Sequence, residues 1–219
     1  MDNTLAEIAD SLEKGRCKRV KDLVRMAVSE GYEPSVILEK GLLKGMENVS
    51  HRFQTATVEI PEILAIKRAL NGGMEALTEL SEAEKAEKTG VALVGTMRGD
   101  VHDIGKNLVR IIMESKGLRV VDLGVDVSVH RFVDVAIAEK ADVVCCSGFL
   151  KESVMDMKRM VDEFENRGIR NDVYIMVGGA ALDEGTAREI GADCYTEDAV
   201  ACGEKAYTYC KKKRSKKSK

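Results

Sequence analysis

Asp100 and His102, a carboxylate and an imidazole two residues apart, are the side chains whose types and spacing most clearly allow chemistry. In extended backbone, side chains two positions apart point to the same side, so this pair can form a hydrogen bond. A carboxylate that accepts one ring N–H leaves the other ring nitrogen free to bind a metal, with a fixed tautomer and raised basicity. The pair therefore predicts a metal-binding histidine supported by a carboxylate.

The pair lies in a loop between a predicted strand and a predicted helix. Residues 91–96 are a short apolar, β-branched run, which is typical of a buried strand, and apolar residues recur at helical spacing from residue 108 onward. Open α/β sheets bind ligands in such loops, at the carboxyl ends of their strands. Gly95, Gly99 and Gly105 do not fit the pattern G-x-G-x-x-G, so the loop is not of the dinucleotide-binding kind.

The second half of the chain alternates between strand and helix patterns. Strands are predicted at 91–96, 118–124, 142–147, 173–177 and 193–195, and helices at 105–116, 129–139, 151–167, 183–190 and 198–209. This alternation indicates a parallel, doubly wound sheet, and right-handed crossovers favour the flavodoxin-like strand order 2-1-3-4-5. In that order His102, Ser147–Gly148 and Gly178–Gly179 follow adjacent strands at one edge of the sheet.

The glycines at this edge predict the shape of a ligand. At the ends of strands three and four they leave a slot without Cβ atoms, which could take an extended organic group beside the histidine loop. One histidine cannot hold a bare metal ion, so most of the coordination must come from elsewhere. A metal macrocycle with a long tail fits both features.

The first 85 residues predict helices throughout, because apolar residues recur at the spacing of one helical face in each segment. They indicate a small helical bundle. Gly72–Gly73 disfavour the last helix by about 1 kcal/mol per glycine relative to alanine, which indicates close packing against a neighbour or a ligand. The charged stretch 81–90 predicts a linker. We therefore expect a helical domain at 1–88 and an α/β domain at 89–210.

The composition, 44% hydrophobic and 32% charged in 219 residues, is that of an α-rich or α/β protein. No apolar run approaches the roughly 20 residues of a membrane span, and the first residues lack the features of a signal peptide. We therefore expect a cytoplasmic protein without membrane contact. The six cysteines form no C-x-x-C pair, which indicates reduced, buried thiols and disfavours a zinc site or disulfides.

The last nine residues, 211–219, contain seven basic residues and no acidic one, whereas the rest of the chain is acidic. Such a run is typical of a solvated, disordered end. Basic runs also bind nucleic acid, but this one lacks interleaved aromatic residues. We therefore expect a disordered basic tail, and the sequence disfavours, without excluding, a nucleic-acid or acidic partner for it.

The motif Asp100-x-His102-x-x-Gly105, followed after 41 residues by Ser147 and later by Gly178–Gly179, resembles the cobalamin-binding signature Asp-x-His-x-x-Gly…Ser-x-Leu…Gly-Gly. The helical half resembles the cap domain that precedes the Rossmann-like cobalamin domain in corrinoid methyltransferase proteins. The likeness covers residues 1–210. It is that of a stand-alone corrinoid protein serving methylamine, methanol, methoxyaromatic or glycine betaine methyl transfer, and it is similar to the cobalamin module of methionine synthase.

The resemblance implies roles for individual residues. His102 matches the lower axial ligand of cobalt, which replaces the dimethylbenzimidazole of the cofactor, and Asp100 and Ser147 match the next two groups in a hydrogen-bond relay. Gly105, Gly148, Gly178 and Gly179 match the slot for the displaced nucleotide tail. The implied cofactor-binding set is Met97, Arg98, Gly99, Asp100, Val101, His102, Asp103, Ile104, Gly105, Ser147, Gly148, Phe149, Leu150, Gly178, Gly179, Ala180 and Tyr195, with Phe53 and Ile60 as an apolar cover from the cap.

The sequence departs from the family pattern at two positions. Phe149 stands where the signature has leucine, which could reshape the nucleotide slot. Glu59 stands where relatives carry an aromatic residue before the pair that is Ile60-Pro61 here, which affects the details of the cap.

The implied function is that of a methyl carrier, which holds the methyl group on cobalt and is not catalytic alone. Its implied partners are a substrate-specific methyltransferase, an acceptor methyltransferase that uses a folate or a thiol, and a reductive activase. A cobalamin-binding sensor is the alternative, although residues 1–30 leave no room for a DNA-binding helix-turn-helix. A methyltransferase in its own right would need a second catalytic domain, and a flavodoxin-like domain without cofactor would leave the motif spacing unexplained.

Overall fold

The structure, a computed structural model, describes residues 3–55, 60–81 and 89–217. The chain divides into two compact units, Met1–Lys85 and Ala86–Lys219. The boundary predicted near residue 88 lies three residues beyond this division. No helix in the described ranges is long and apolar enough to cross a membrane.

The described residues of the first unit form helices joined by short turns at 14–16 and 30–33, as predicted. Its helices are α1 (Asn3–Glu13), α2 (Cys17–Ser29), α3 (Pro34–Ile37), α4 (Lys44–Thr55) and α5 (Ile60–Ser81), and Leu38–Leu43 form a π-helical segment between α3 and α4. The apolar face of each long helix points into a common core, which includes Ile8, Leu23 and Leu70.

Gly72 and Gly73 make α5 pack closely, as the sequence predicts. A Cβ on Gly72 would lie 2.7 Å from Sγ of Cys17, and one on Gly73 would lie 2.8 Å from Val20 and 2.7 Å from Leu42. These distances are too short for real Cβ contacts, so alanine at either position would push α5 away from α2. The close packing predicted at Gly72 and Gly73 is therefore against other residues of the protein.

The second unit is a five-stranded parallel sheet between helices, which confirms the predicted fold class. Its strands are β1 (Val91–Thr96), β2 (Arg119–Asp122), β3 (Val143–Ser147), β4 (Tyr174–Gly178) and β5 (Cys194–Tyr195), in the order β2-β1-β3-β4-β5. Its helices are α6 (Ile104–Ser115), α7 (Val129–Glu139), α8 (Lys151–Asn166), α9 (Glu184–Glu189) and α10 (Ala199–Lys217). Strand order and the type of each element are as predicted.

The strand register sets the site edge of this sheet. Thr96 pairs with Ser147, and Ser147 pairs with Gly178, so β1, β3 and β4 end side by side. Apolar layers cover both faces of the sheet, one around Phe132 and Phe164 and the other around Met113 and Cys202. A rigid, level sheet edge therefore carries the loops that follow these strands.

The prediction of a disordered tail at 211–219 is wrong for residues 211–217, which continue α10. Tyr209 stacks on Tyr174 with ring centroids 4.4 Å apart, and Cys210 is buried. Nζ of Lys213 forms an ion pair with Asp142 at 2.8 Å and donates a hydrogen bond to the carbonyl of Asp172. These contacts hold the basic segment on the sheet domain in helical form. Residues 218–219 lie outside the described part of the chain.

Candidate functional site

The loop after β1 is fixed by contacts with the two neighbouring strands. Met97 forms a parallel bridge with Val127 after β2, and its N–H donates to the carbonyl of Ser147 at the end of β3. The N–H of Gly99 donates to Oδ1 of Asp126 at 2.7 Å. Asp126 has a φ of 56°, a left-handed conformation that aspartate tolerates better than most residues. The loop is therefore held from both sides before it reaches His102.

Asp100 is a fully buried carboxylate that accepts several hydrogen bonds. Its Oδ1 accepts from the N–H of His102 at 3.0 Å and from the ring Nδ1 of His102 at 2.7 Å. Its Oδ2 accepts from the N–H of Phe149 at 2.6 Å and, more weakly, from the N–H of Leu150 and the hydroxyl of Ser153, each at 3.4 Å. The predicted hydrogen bond between the carboxylate and the imidazole is confirmed.

The pKa of Asp100 reflects two opposing effects. Burial alone would raise it, but the hydrogen bonds from His102 and Phe149 outweigh burial and lower the pKa from 3.8 to about 2. The carboxylate is therefore charged at every pH at which an imidazole titrates. It keeps Nδ1 of His102 protonated and leaves Nε2 as the nitrogen with a lone pair.

The imidazole of His102 is accessible, with 53% of its side chain exposed. It stacks on the ring of Phe149, with centroids 4.1 Å apart and an interplanar angle of 24°. The hydroxyl of Thr96 donates to the carbonyl of His102 at 3.0 Å, which ties the residue to the end of β1. One ring nitrogen is thus held by a buried carboxylate while the ring itself reaches the surface.

The sequence predicts Ser147 as the next group after Asp100 in the hydrogen-bond relay, but in the structure Ser153 contacts Asp100. The Ser153 hydroxyl lies 3.4 Å from Oδ2 of Asp100 and is buried. Ser153 occupies the first turn of α8, whose start faces Asp100, whereas Ser147 ends β3 and lines a cavity. The sequence does contain a signal, because a serine in the first turn of a helix that follows strand three can reach a group at that edge.

A cavity of about 150 Å³ opens at the carboxyl ends of β1, β3 and β4, where the slot is predicted. Gly105, Ser147, Gly178 and Gly179 line it, together with Thr196 and the thiols of Cys145 and Cys202. A Cβ on Gly105 would meet no atom within 4 Å, so this glycine leaves open space. The cavity is where an extended group could enter the sheet edge.

Two of the predicted slot glycines pack against protein. A Cβ on Gly179, whose φ is 122°, would lie 2.2 Å from the carbonyl oxygen of Gly148. A Cβ on Gly148 would lie 2.7 Å from Met157 and 2.8 Å from Ser153. These glycines let the loops after β3 and β4 approach each other, and so they shape the wall of the cavity.

Cys145 and Cys202 place two thiols in this wall, with their sulfur atoms 3.9 Å apart. The contact with Cys202, together with burial, raises the pKa of Cys145, so its thiol stays protonated. Both cysteines are free, as the sequence predicts. No group of three or more His, Cys, Asp or Glu in the described ranges could hold a metal ion by itself.

The remaining predicted contact residues fall into three groups. Arg98, Val101, Leu150 and Ala180 are exposed at the site edge, and Asp103 and Ile104 start α6. The side chain of Met97 is fully buried in the apolar layer with Phe132, and Tyr195 packs against the same layer, so Met97 offers only its backbone to the loop. Phe53 and Ile60 belong to α4 and α5, and their side chains lie outside the described part of the structure.

Comparison with known proteins identifies the family. One B12 binding domain model matches residues 90–203, more than half of the chain, and a second B12 binding domain model matches residues 4–78. The dimethylamine corrinoid protein of Methanosarcina barkeri is 36% identical over 203 residues, which cover 92% of this chain and 95% of that protein. This chain belongs to the B12-binding corrinoid protein family.

Other corrinoid proteins are similar in sequence and in structure. Trimethylamine corrinoid protein 2 of Methanosarcina acetivorans is 34% identical over 90% of this chain and 91% of its own length. The solved structure of the Methanosarcina barkeri monomethylamine corrinoid protein superimposes with a TM-score of 0.79, at 29% identity, over 94% of this chain and 97% of that one. The likeness thus extends over both units.

The residues at the site edge fit a corrinoid. His102 presents an accessible imidazole whose Nδ1 is engaged, and the apolar side chains of Val101, Phe149 and Leu150 beside it are exposed. Exposed apolar side chains at such a position are suited to covering an apolar ligand face. Gly105 leaves open space in a neighbouring cavity. An accessible ring nitrogen, exposed apolar side chains and a cavity therefore occur together at this edge.

Proposed function

We propose that this chain is a methyl carrier that binds cobalamin with the dimethylbenzimidazole displaced and with Nε2 of His102 as the lower axial ligand of cobalt. One observation carries the proposal: the 2.7 Å hydrogen bond from Nδ1 of His102 to the buried Asp100 carboxylate. This bond commits one ring nitrogen and leaves the other for a metal, on a ring that is half exposed. Membership of the corrinoid protein family supports the identity of the cofactor.

A corrinoid bound at this site would supply the cobalt chemistry needed to carry a methyl group. The residues of this chain would determine which nitrogen of His102 is available to hold it. Asp100 holds the proton on Nδ1, so Nε2 keeps a lone pair for coordination. Both the backbone N–H and the ring Nδ1 of His102 contact Oδ1 of Asp100, which fixes the imidazole on the carboxylate.

We assign the displaced nucleotide tail to the cavity at the ends of β1, β3 and β4. Gly105 supports this assignment, because its missing side chain leaves the cavity wall open. Ser147 and Thr196 offer hydroxyl groups there, and Met176 and Val109 offer apolar surface. Such a mixed lining suits an aromatic base on a polar linker.

We further propose two methyltransferase partners, one specific for the methyl donor and one that passes the methyl group to a folate or a thiol, together with a reductive activase. The relatives named for dimethylamine and trimethylamine support a methylated amine as the donor. Incubating the corrinoid-loaded protein with methyltransferases specific for mono-, di- or trimethylamine tests this choice. Formation of the methylated corrinoid with none of the three would contradict it.

Axial ligation is tested by labelling the histidines of the protein with ¹⁵N. The protein is loaded with cobalamin, reduced to the cobalt(II) form and measured by electron paramagnetic resonance. With His102 as ligand, the nitrogen splitting should change from a triplet in unlabelled protein to a doublet in labelled protein, because the coupled nucleus belongs to the protein.

Two variants complete this test. His102→Ala should lose the splitting from protein nitrogen, and His130→Ala, which removes an exposed histidine on α7, should keep it. A triplet that persists in the labelled wild-type protein would assign the ligand to the cofactor's own base. That result would overturn the proposed axial role.

A further inference from the structure

Phe149 contacts the Asp100–His102 pair through both its backbone and its ring. Its N–H donates to Oδ2 of Asp100 at 2.6 Å, a shorter contact than those from Leu150 and Ser153 to the same oxygen. Its ring lies on the imidazole of His102, with centroids 4.1 Å apart and planes inclined by 24°. Asp100 therefore accepts hydrogen bonds from both His102 and Phe149, and the rings of these two residues also stack on each other.

The ring of Phe149 is unusual in its exposure. Phe149 is a large apolar residue, yet it is 52% exposed in a domain whose other phenylalanines, Phe132 and Phe164, are fully buried. Leucine, which the cobalamin-binding signature has at this position, would supply apolar surface without a flat face. The feature that phenylalanine adds here is thus a plane that can stack.

Stacking restrains a motion that the carboxylate leaves free. A single hydrogen bond fixes the position of Nδ1, but the imidazole can still tilt about that contact and redirect Nε2. A nearly parallel aromatic neighbour restricts this tilt, because offset-stacked rings attract each other and resist inclination. Asp100 and Phe149 together fix both the position and the plane of the ring.

We propose that Phe149 is a positioning residue that holds the imidazole plane of His102 in the orientation required for axial coordination. The inference rests on the proposed function, since it assumes that Nε2 coordinates cobalt. It assigns the departure from the family pattern at position 149 to the axial ligand, whereas the sequence alone suggested a change in the nucleotide slot.

The first test uses the protein without cofactor and compares Phe149→Leu with the wild type. Leucine keeps the backbone N–H to Asp100 and removes the stacked ring. The carbon-bound imidazole protons of His102, assigned by nuclear magnetic resonance, should move downfield, because the shielding by the Phe149 ring is lost. Met155→Leu, a change of an exposed apolar residue on α8, is the control and should leave them in place. Unchanged chemical shifts of these protons in Phe149→Leu would show that the Phe149 ring does not stack on His102.

The second test measures cobalamin binding by visible absorbance and ¹⁵N-histidine splitting. The affinity of Phe149→Leu for the histidine-ligated form should fall about threefold to tenfold, the usual strength of one aromatic pair. Phe149→Tyr, which retains the stacked ring, should bind cobalamin with the affinity of the wild type. Equal or tighter binding by a folded Phe149→Leu, with normal splitting, would overturn the positioning role.

The two proposals fail in different ways. Absence of protein-nitrogen splitting in the wild type removes axial ligation and the role of Phe149 with it. Normal splitting in the wild type, combined with unchanged binding in Phe149→Leu, removes the role of Phe149 alone. If Phe149→Leu does not fold, the Phe149→Tyr variant tests the role of Phe149 instead. Loss of cobalamin binding by Phe149→Tyr, with the His102 imidazole protons still shifted upfield by the stacked ring, would contradict positioning by the stack.

Discussion

Asp100 shows how a single buried charge can define a site. In the described ranges five groups donate hydrogen bonds to its two oxygens, which offsets the cost of burying a carboxylate. Its partner His102 could be predicted, because both residues lie in one short segment. Phe149 and Ser153 are harder to assign, because they lie just after β3 and at the start of α8, about fifty residues later, and only the folded sheet edge brings them to Asp100.

The lowered pKa of Asp100 makes its contribution to stability depend on pH. The folded-state pKa is about 2, below the ordinary 3.8, so the carboxylate stabilises the folded protein above pH 3.8 and loses this effect as the pH falls towards 2. Asp100→Asn should destabilise the protein at pH 7 by about 1–3 kcal/mol, because the amide nitrogen cannot accept the N–H of Phe149. The difference from the wild type should shrink between pH 5 and pH 2.5. Urea unfolding at several pH values measures it.

Glu189→Gln, at an exposed position on α9, serves as the control for this prediction and should track the wild type. A difference between Asp100→Asn and the wild type that stays constant down to pH 2.5 would show that the pKa of the folded state is not lowered.

At the scale of elements, the strand order and the level ends of β1, β3 and β4 follow from right-handed crossovers, and they could be predicted. The function of each glycine at that edge could not. Gly105 leaves open space, whereas Gly148 and Gly179 admit close packing between loops. The sequence shows the same residue at each position, and the difference depends on what lies opposite each Cα in the folded domain.

Gly105→Ala and Gly179→Ala should therefore have opposite effects on the stability of the cofactor-free protein. Alanine at Gly105, in the first turn of α6, should stabilise the cofactor-free protein by up to about 1 kcal/mol through helix propensity, but its methyl group should weaken cobalamin binding. Alanine at Gly179 meets a carbonyl oxygen at 2.2 Å with a φ of 122° and should cost at least about 2 kcal/mol. Thermal unfolding and cobalamin titration measure the two effects. Full cobalamin affinity in Gly105→Ala would argue against a tail in this cavity.

At the scale of the whole molecule, the basic segment belongs to the fold. Its composition predicts disorder, but Lys213 finds Asp142 and Asp172 at the start of β3 and β4, partners that lie 71 and 41 residues earlier in the chain. Composition cannot reveal such distant partners. The division into a helical unit and an α/β unit was easier to predict, because the hydrophobic period changes from helical to alternating elements near residue 90.

Truncation after Cys210 should lower the free energy of unfolding by about 1 kcal/mol, because it removes the half-buried ion pair of Lys213 and its placement over Tyr209. Truncation after Ser215 keeps Lys213 and should cost much less. Thermal unfolding of the two shortened chains, compared with the full chain, measures the difference. Equal melting temperatures for all three would show that the basic segment contributes nothing to the fold.

The end of α10 lies at the amino ends of the strands, opposite the edge that carries His102. This separation makes the protein convenient to immobilise. A fluorophore, bead or electrode coupled just beyond Lys217 would hold the α/β unit by its far side and leave the imidazole open to solution. Surface-bound protein should then take up cobalamin as well as free protein does, which would allow cobalt redox changes to be followed on a single tethered layer.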